Sequence, residues 1–280
     1  MNLRSCPLAP FVLPLKVLMQ RTCVAPTKLE WDDQLPSTTE DSASRAVASL
    51  NRLQHLKIPR CYSRNLGKVV NRQLHIFSDG SEVAYGASVY LRQTDSVGRV
   101  SVCLIIAKSR ITPAGKLLTI PRAELCGCEV AATLVDVVRR ELHLPIDGEW
   151  FWTDSTAALG YLNNVNKRYQ VFVANRCRFI SAIAPPERWR HVGGRTNPAD
   201  FVTRPTLVKE GDSIHNFRSW FFGPEWLELD EDAPKQGHFS VADFTTPRLN
   251  SCFLPKPSLR CWSASSWGGL RSRKRGASKD

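Results

Sequence analysis

Four carboxylates, Asp79, Glu124, Asp154 and Asp200, are the residues of this chain whose type and setting invite chemistry. Asp79 closes the run Leu74-His75-Ile76-Phe77-Ser78, and Glu124 stands in Pro121-Arg122-Ala123-Glu124-Leu125. Asp154 follows Trp150-Phe151-Trp152-Thr153, and Asp200 ends Asn197-Pro198-Ala199. Acids placed where apolar runs stop sit at the ends of strands and helices, so one sheet can aim several of them at one point. Magnesium requires hard oxygen ligands, and a two-metal phosphoryl-transfer site requires several converging carboxylates. Read singly, three of the acids have blander roles: Asp79 before Gly80-Ser81 can start a turn, Asp154 can cap a helix, and Asp200 can complement a first turn. Glu124 resists that treatment. It shares the inward stripe of Gly127, Ala131, Leu134 and Val138, with no basic partner one turn away on that stripe, and an unpaired buried acid is costly.

The elements that must position these acids are legible from periodicity. Residues 73–78, 84–93 and 100–108 alternate as strands rich in Val, Ile, Tyr and Leu, broken at Asp79-Gly80-Ser81 and Asp95-Ser96-Val97-Gly98. Such spacing predicts an antiparallel meander. Pro121 opens a helix running to Arg140, residues 149–153 make a short aromatic strand, and a helix follows that Asp154 or Ser155 can cap. A further helical pattern over 168–184 is stopped by Pro185-Pro186. A strand over 188–192 and a last helix opening at 197–202 complete an α/β order with helices packed on a mixed sheet. Upstream, residues 44–56 have helical spacing at Val47, Leu50, Leu53 and Leu56, and residues 1–70 are too interrupted for a core of their own. That region is expected to pack on something outside this sequence.

Composition narrows the class. The chain has 280 residues and a formal charge of +12, which suggests a polyanionic partner. Yet from Thr246 onward eight basic residues face the single Asp280, a net of +7, in a stretch rich in Ser and Pro. This excess reads as a solvated, disordered tail over 246–280 rather than a dedicated nucleic-acid arm. The nine cysteines lack knuckle or ribbon spacing, so they are read as reduced intracellular thiols and not as zinc ligands. The opening residues carry Arg4 and apolar stretches, but Pro7, Pro10, Pro14 and Lys16 interrupt any export signal. No stretch reaches the length of a membrane span.

The wording around the acids is similar to the ribonuclease H domain, and closest to that of BEL/Pao-type retrotransposon polyproteins. The segments that carry the resemblance are 74–81 (Leu-His-Ile-Phe-Ser-Asp-Gly-Ser), 107–111 (Ala-Lys-Ser-Arg-Ile), 118–125 (Leu-Thr-Ile-Pro-Arg-Ala-Glu-Leu), 151–155 (Phe-Trp-Thr-Asp-Ser) and 195–200 (Arg-Thr-Asn-Pro-Ala-Asp). The resemblance implies a ribonuclease H-like mixed sheet, three antiparallel strands followed by parallel strands, with helices on both faces. It implies a domain over 71–207, preceded by a connection segment over 1–70 that ends a reverse-transcriptase region and followed by a linker over 208–245 before an integrase region. It implies that Asp79, Glu124, Asp154 and Asp200 hold two Mg2+ ions, with Mn2+ as a substitute, and cut the RNA strand of an RNA·DNA hybrid. Lys108, Arg110, Arg122, Ser155 and Arg195 are the nucleic-acid contacts expected on this reading. The implied partners are the hybrid and the reverse transcriptase and integrase regions of the same polyprotein, with no membrane, in the cytoplasm. One departure stands out: cellular members carry a His in the loop before the last acid, where this chain has Arg195, while His191 belongs to the preceding strand. Two alternatives follow: an inactive nucleic-acid-binding remnant, and an integrase or transposase, whose final helical Glu has no match here.

Overall fold

The computed structural model describes residues 7–229 apart from 25–28, 31, 59–60, 64, 115–117 and 165–166. The basic tail over 246–280 and the linker beyond 229 lie outside the described residues. Five strands form one sheet: β1 (Val69–Gly80), β2 (Ala84–Asp95), β3 (Val100–Ile111), β4 (Gly148–Thr153) and β5 (Trp189–His191), in the order β3-β2-β1-β4-β5. β1, β2 and β3 pair antiparallel, whereas β1–β4 and β4–β5 are parallel. Tight turns explain the first half. Ser81 Oγ accepts from the Val83 and Ala84 amides, both at 3.2 Å, and closes the first hairpin. At the second, the Asp95 carboxylate accepts from Gly67, Val97 and Arg99 amides. Those bonds, the Gly67 amide first, hold the Asp95 carboxyl down to about 2. The parallel half needs crossovers, and helices supply them.

The helices are α1 (Ala9–Cys23), α2 (Ser37–Arg52), α3 (Ile120–Glu141), α4 (Thr156–Asn163), α5 (Val171–Ile183), α6 (Asp200–Thr203) and α7 (Arg218–Phe222). Alternation along β1 sends Leu74 and Ile76 to one face and Phe77 to the other. On the first face they meet Leu125, Leu134 and Val138 of α3, with α4 and α5 alongside. On the second, Phe77, Tyr90 and Trp152 meet α1, α6, α7 and Leu227. Both faces of the sheet are thus covered by helices, as the expected mixed-sheet architecture requires.

Four sequence expectations are corrected. The strands extend past the predicted runs because polar residues continue the ladder, as Asn71↔Thr94 and Tyr85↔Arg110 do. The last helix is a single turn, because Pro205 follows Arg204 and cannot continue it. The first helix of the amino-terminal segment packs on this sheet rather than on a surface outside the sequence. Phe11 and Leu13 of α1 are fully buried, Phe11 sits edge-on to Phe217 at 5.1 Å, and Gln20 Nε2 donates to the Thr112 carbonyl at 2.6 Å. Of the stripe expected in and after α2, Leu50, Leu53 and Leu56 pack against the second core, whereas Val47 is 48% exposed and Ala46 and Ser49 are buried in its place. Among the described residues no helix is long and apolar enough to cross a membrane.

Candidate active site

The parallel pairing of β1 with β4 brings two of the acids together. Ser78 is in register with Thr153, so Asp79 and Asp154, the next residues, leave neighbouring strands at the same sheet edge. α3 then delivers Glu124 by close approach to β1. A Cβ on Gly80 would stand 2.3 Å from the Ala123 carbonyl carbon and the Glu124 amide nitrogen, and one on Gly127 would stand 2.4 Å from the Asp79 carbonyl oxygen. Only glycine permits both contacts, and they press the first turn of α3 against the end of β1. Asp200 arrives on α6, whose approach Asn197 fixes. The Asn197 amide donates to the Ser78 carbonyl at 3.1 Å, and its oxygen accepts from the Ala199 amide at 3.1 Å.

Each carboxylate has its own protein partner. Ser155 Oγ donates to Glu124 Oε2 at 2.5 Å. Thr203 Oγ1 donates to Asp79 Oδ2 at 2.5 Å. Arg204 Nε pairs with Asp200 Oδ1 at 2.6 Å. Asp154 is bonded by the Asn197 side chain, but its buried Oδ1 has no hydrogen-bond partner. Burial, then the negative charges of Asp79 and Glu124, push the Asp154 carboxyl up to about 6. Glu124 is also raised, by burial first, with the Ser155 bond opposing and the Asp79 charge adding. Asp200 is raised by burial against the opposing pull of Arg204.

These are the electrostatics of a cation site: hard oxygen donors, mutual repulsion, and one buried oxygen left unsatisfied. In the described residues, however, no three His, Cys, Asp or Glu side chains stand as a group that could hold a metal. Glu124, Asp79 and Asp200 are bonded by Ser155, Thr203 and Arg204 respectively, while the buried Oδ1 of Asp154 has no such partner. The donor chemistry fits magnesium.

The expected nucleic-acid residues are placed unevenly. Ser155 is only 4% exposed. Its hydroxyl donates to Glu124 and accepts from the Ala158 amide at 3.0 Å, so it caps α4 and positions Glu124. Arg122 is half-buried, bonds Gln170 Oε1 at 2.7 Å and lies over the Phe172 ring. Lys108, half-buried, and Arg110, exposed, stand on β3, and Arg110 bonds Tyr85. Arg195 is exposed in the turn Gly194–Thr196. Sequence reading missed Asn197, Thr203 and Arg204. Arg204 was legible as the fourth residue after Asp200, whereas the Thr203 bond to Asp79 joins residues 124 apart in the chain.

A family model described as Pao retrotransposon-like RNaseH-like domain matches residues 6–155, a little over half of the 280-residue chain. No curated protein matches the sequence. Among solved structures the chain is similar to the N-terminal RNase H domain of a Mycobacterium tuberculosis protein, at 15% identity over 45% of this chain and 85% of that one, with a TM-score of 0.30. It is similar to RNase H1 of Halobacterium salinarum at 14% identity over 47% and 89% of the two chains, with a TM-score of 0.26. It is similar also to LC11 RNase H1 in complex with an RNA/DNA hybrid, at 16% identity over 45% and 88%, with a TM-score of 0.27. The fold assignment rests on the strand order and the family match, not on these scores.

Proposed function

The chain belongs to the Pao retrotransposon-like RNaseH-like domain family, and on that premise we propose that it hydrolyses the RNA strand of an RNA·DNA hybrid with the help of divalent metal. The observation that carries this reading is Asp154: a buried carboxylate oxygen without a partner, on an acid pushed up to about 6 by burial and two neighbouring acids. A structural acid would be expected to have a donor there; a metal ligand has reason to lack one.

On this reading Asp79, Glu124, Asp154 and Asp200 hold magnesium, with manganese as a substitute. When bound, magnesium supplies positive charge that favours deprotonation of water and offsets charge developing on the leaving 3′ oxygen. The protein contributes orientation. Ser155 holds the Glu124 carboxylate on the first turn of α3, and Thr203 holds Asp79. Arg195 offers the hybrid a positive charge in the loop where cellular members carry a His. Exposed Arg110 and Arg195 and half-buried Lys108 and Arg122 are assigned to the sugar-phosphate backbones. Selection of RNA then rests on shape and 2′-hydroxyl contacts. The natural setting we infer is a retroelement polyprotein, between reverse transcriptase and integrase regions, in the cytoplasm.

A second reading is favoured by one observation: three of the four acids are engaged by protein partners, Glu124 by Ser155, Asp79 by Thr203 and Asp200 by Arg204. It makes the domain a nucleic-acid-binding remnant that no longer cuts. A labelled hybrid incubated with the purified protein and Mg2+ separates the two. Cleavage of the RNA strand by the wild type, lost in Asp154→Asn, supports the enzyme. Retention of hybrid without cutting, and with no rise in melting temperature on adding Mg2+ or Mn2+, establishes the remnant.

A further inference from the structure

β3 is an edge strand of the sheet, and residues 61–63 lie across it. Ser101 Oγ and Cys103 Sγ both donate to the Tyr62 carbonyl, at 3.5 and 3.9 Å. Two residues apart on a strand, these side chains share a face. Ser63 Oγ reaches further inward, donating to Gln93 Oε1 at 3.1 Å, and Gln93 is the β2 residue in register with Ser101. The short segment is therefore anchored on β3 and β2 by side-chain bonds. Cys61 is the next residue back along the chain. Cys61 and Cys103 both line one cavity of about 540 Å³, with Tyr62, Leu66 and Phe222. Both thiols are free, Cys61 exposed and Cys103 half-buried. Burial pushes the Cys103 thiol up to about 12, and the nearby Cys61 adds to that shift.

We propose that Cys61 and Cys103 are a redox pair, and that their disulfide staples residues 61–63 to the edge strand. The inference is independent of the nuclease reading. With hydrogen peroxide as oxidant, the exposed Cys61 sulfur attacks one peroxide oxygen; the O–O bond breaks, Cys61 becomes a sulfenic acid, and one water leaves. The Cys103 sulfur then attacks the Cys61 sulfur. The S–S bond forms, the S–O bond breaks, and the departing hydroxide takes the Cys103 proton as a second water. Two thiols lose two electrons in total, and one peroxide becomes two waters. Cys61 reacts first because it is exposed; Cys103 is slower because burial disfavours its thiolate. The bond would close a covalent loop through β1, β2 and the start of β3, restrict the unfolded chain, and fasten residues 61–63 over this face of the sheet.

The test uses the full chain, purified reduced, treated with hydrogen peroxide, alkylated and digested. The expected product is a Cys61-containing peptide linked to a Cys103-containing peptide, about 2 Da lighter than the two thiol peptides together and released by dithiothreitol. The oxidised wild type should melt several degrees above the reduced protein, a rise absent from Cys103→Ser and Cys61→Ser. Either serine variant melting close to reduced wild type shows that the fold is intact. Cys61 recovered as sulfinic acid in wild type, or linked to any cysteine other than Cys103, overturns the proposal. So does a Cys61–Cys103 link that leaves the melting temperature unchanged.

Discussion

At Asp154 the sheet places a carboxylate where burial, Asp79 and Glu124 all oppose its charge, which is why its carboxyl is pushed up to about 6 from an ordinary 3.8. The folded chain therefore holds this proton more tightly than the unfolded chain does. Its contribution to stability is complete below 3.8 and is lost as pH rises through about 6. Glu124 and Asp200 shift in the same direction. Asp95 runs the other way: held down to about 2, it favours the fold above 3.8 and loses that effect as pH falls through about 2. The Asp154 and Asp95 windows meet at 3.8 without overlapping, while buried His75, held down to about 3, adds stability as pH rises toward 6.5, so the difference between wild type and an Asp154 variant isolates Asp154. Asp154→Asn is expected to stabilise the metal-free protein at pH 7.5 by about 1–2 kcal/mol, allowing for solvent screening. The gain should shrink toward pH 4. Thermal melts of both proteins across that range check it, and a variant less stable than wild type at pH 7.5 would show that the carboxylate is not under strain.

Among the elements, α3 and β1 form the contact on which the site depends. Gly127 sits against the Asp79 carbonyl with no room for a Cβ, which would fall 2.4 Å from that oxygen. Helix propensity alone predicts that Gly127→Ala stabilises α3 by up to about 1 kcal/mol. Overpacking predicts the reverse, and the close contact is with backbone, which cannot rotate away. The expected outcome is a net loss of about 1–3 kcal/mol in urea denaturation, with a weaker Mg2+-induced rise in melting temperature because the Asp79 backbone is displaced. Stabilisation by the substitution would mean that the helix can lift from the strand at no cost. The glycine was visible in the sequence as a member of the inward stripe. What its absent side chain makes room for was not, because the contact joins residues 79 and 127 across a strand-to-helix crossover.

In the molecule as a whole, the amino-terminal helix and the segment after α6 share a core with the sheet. Phe11, Phe77, Trp152, Trp220 and Leu227 belong to one cluster, so the sequence boundaries near 70 and 207 do not mark a break in packing. Phe11→Ala should cost about 3–5 kcal/mol, lowering a single unfolding transition seen alike by tryptophan fluorescence and far-ultraviolet circular dichroism. Separate transitions would show that α1 is an appendage. Legibility follows the range of the interaction. Strand alternation, the Pro121 helix start, a cap at Asp154 or Ser155 and the positions of Asp79, Glu124, Asp154 and Asp200 are local matters, fixed by a few neighbouring residues, and the sequence alone determines them. The seating of α1, the one-turn length of the ordered α6, the commitment of Ser155 to Glu124 and the Thr203 bond to Asp79 were decided only by the tertiary structure. Those interactions join distant stretches of chain, or depend on how much room the packed neighbours leave, and neither periodicity nor spacing records that.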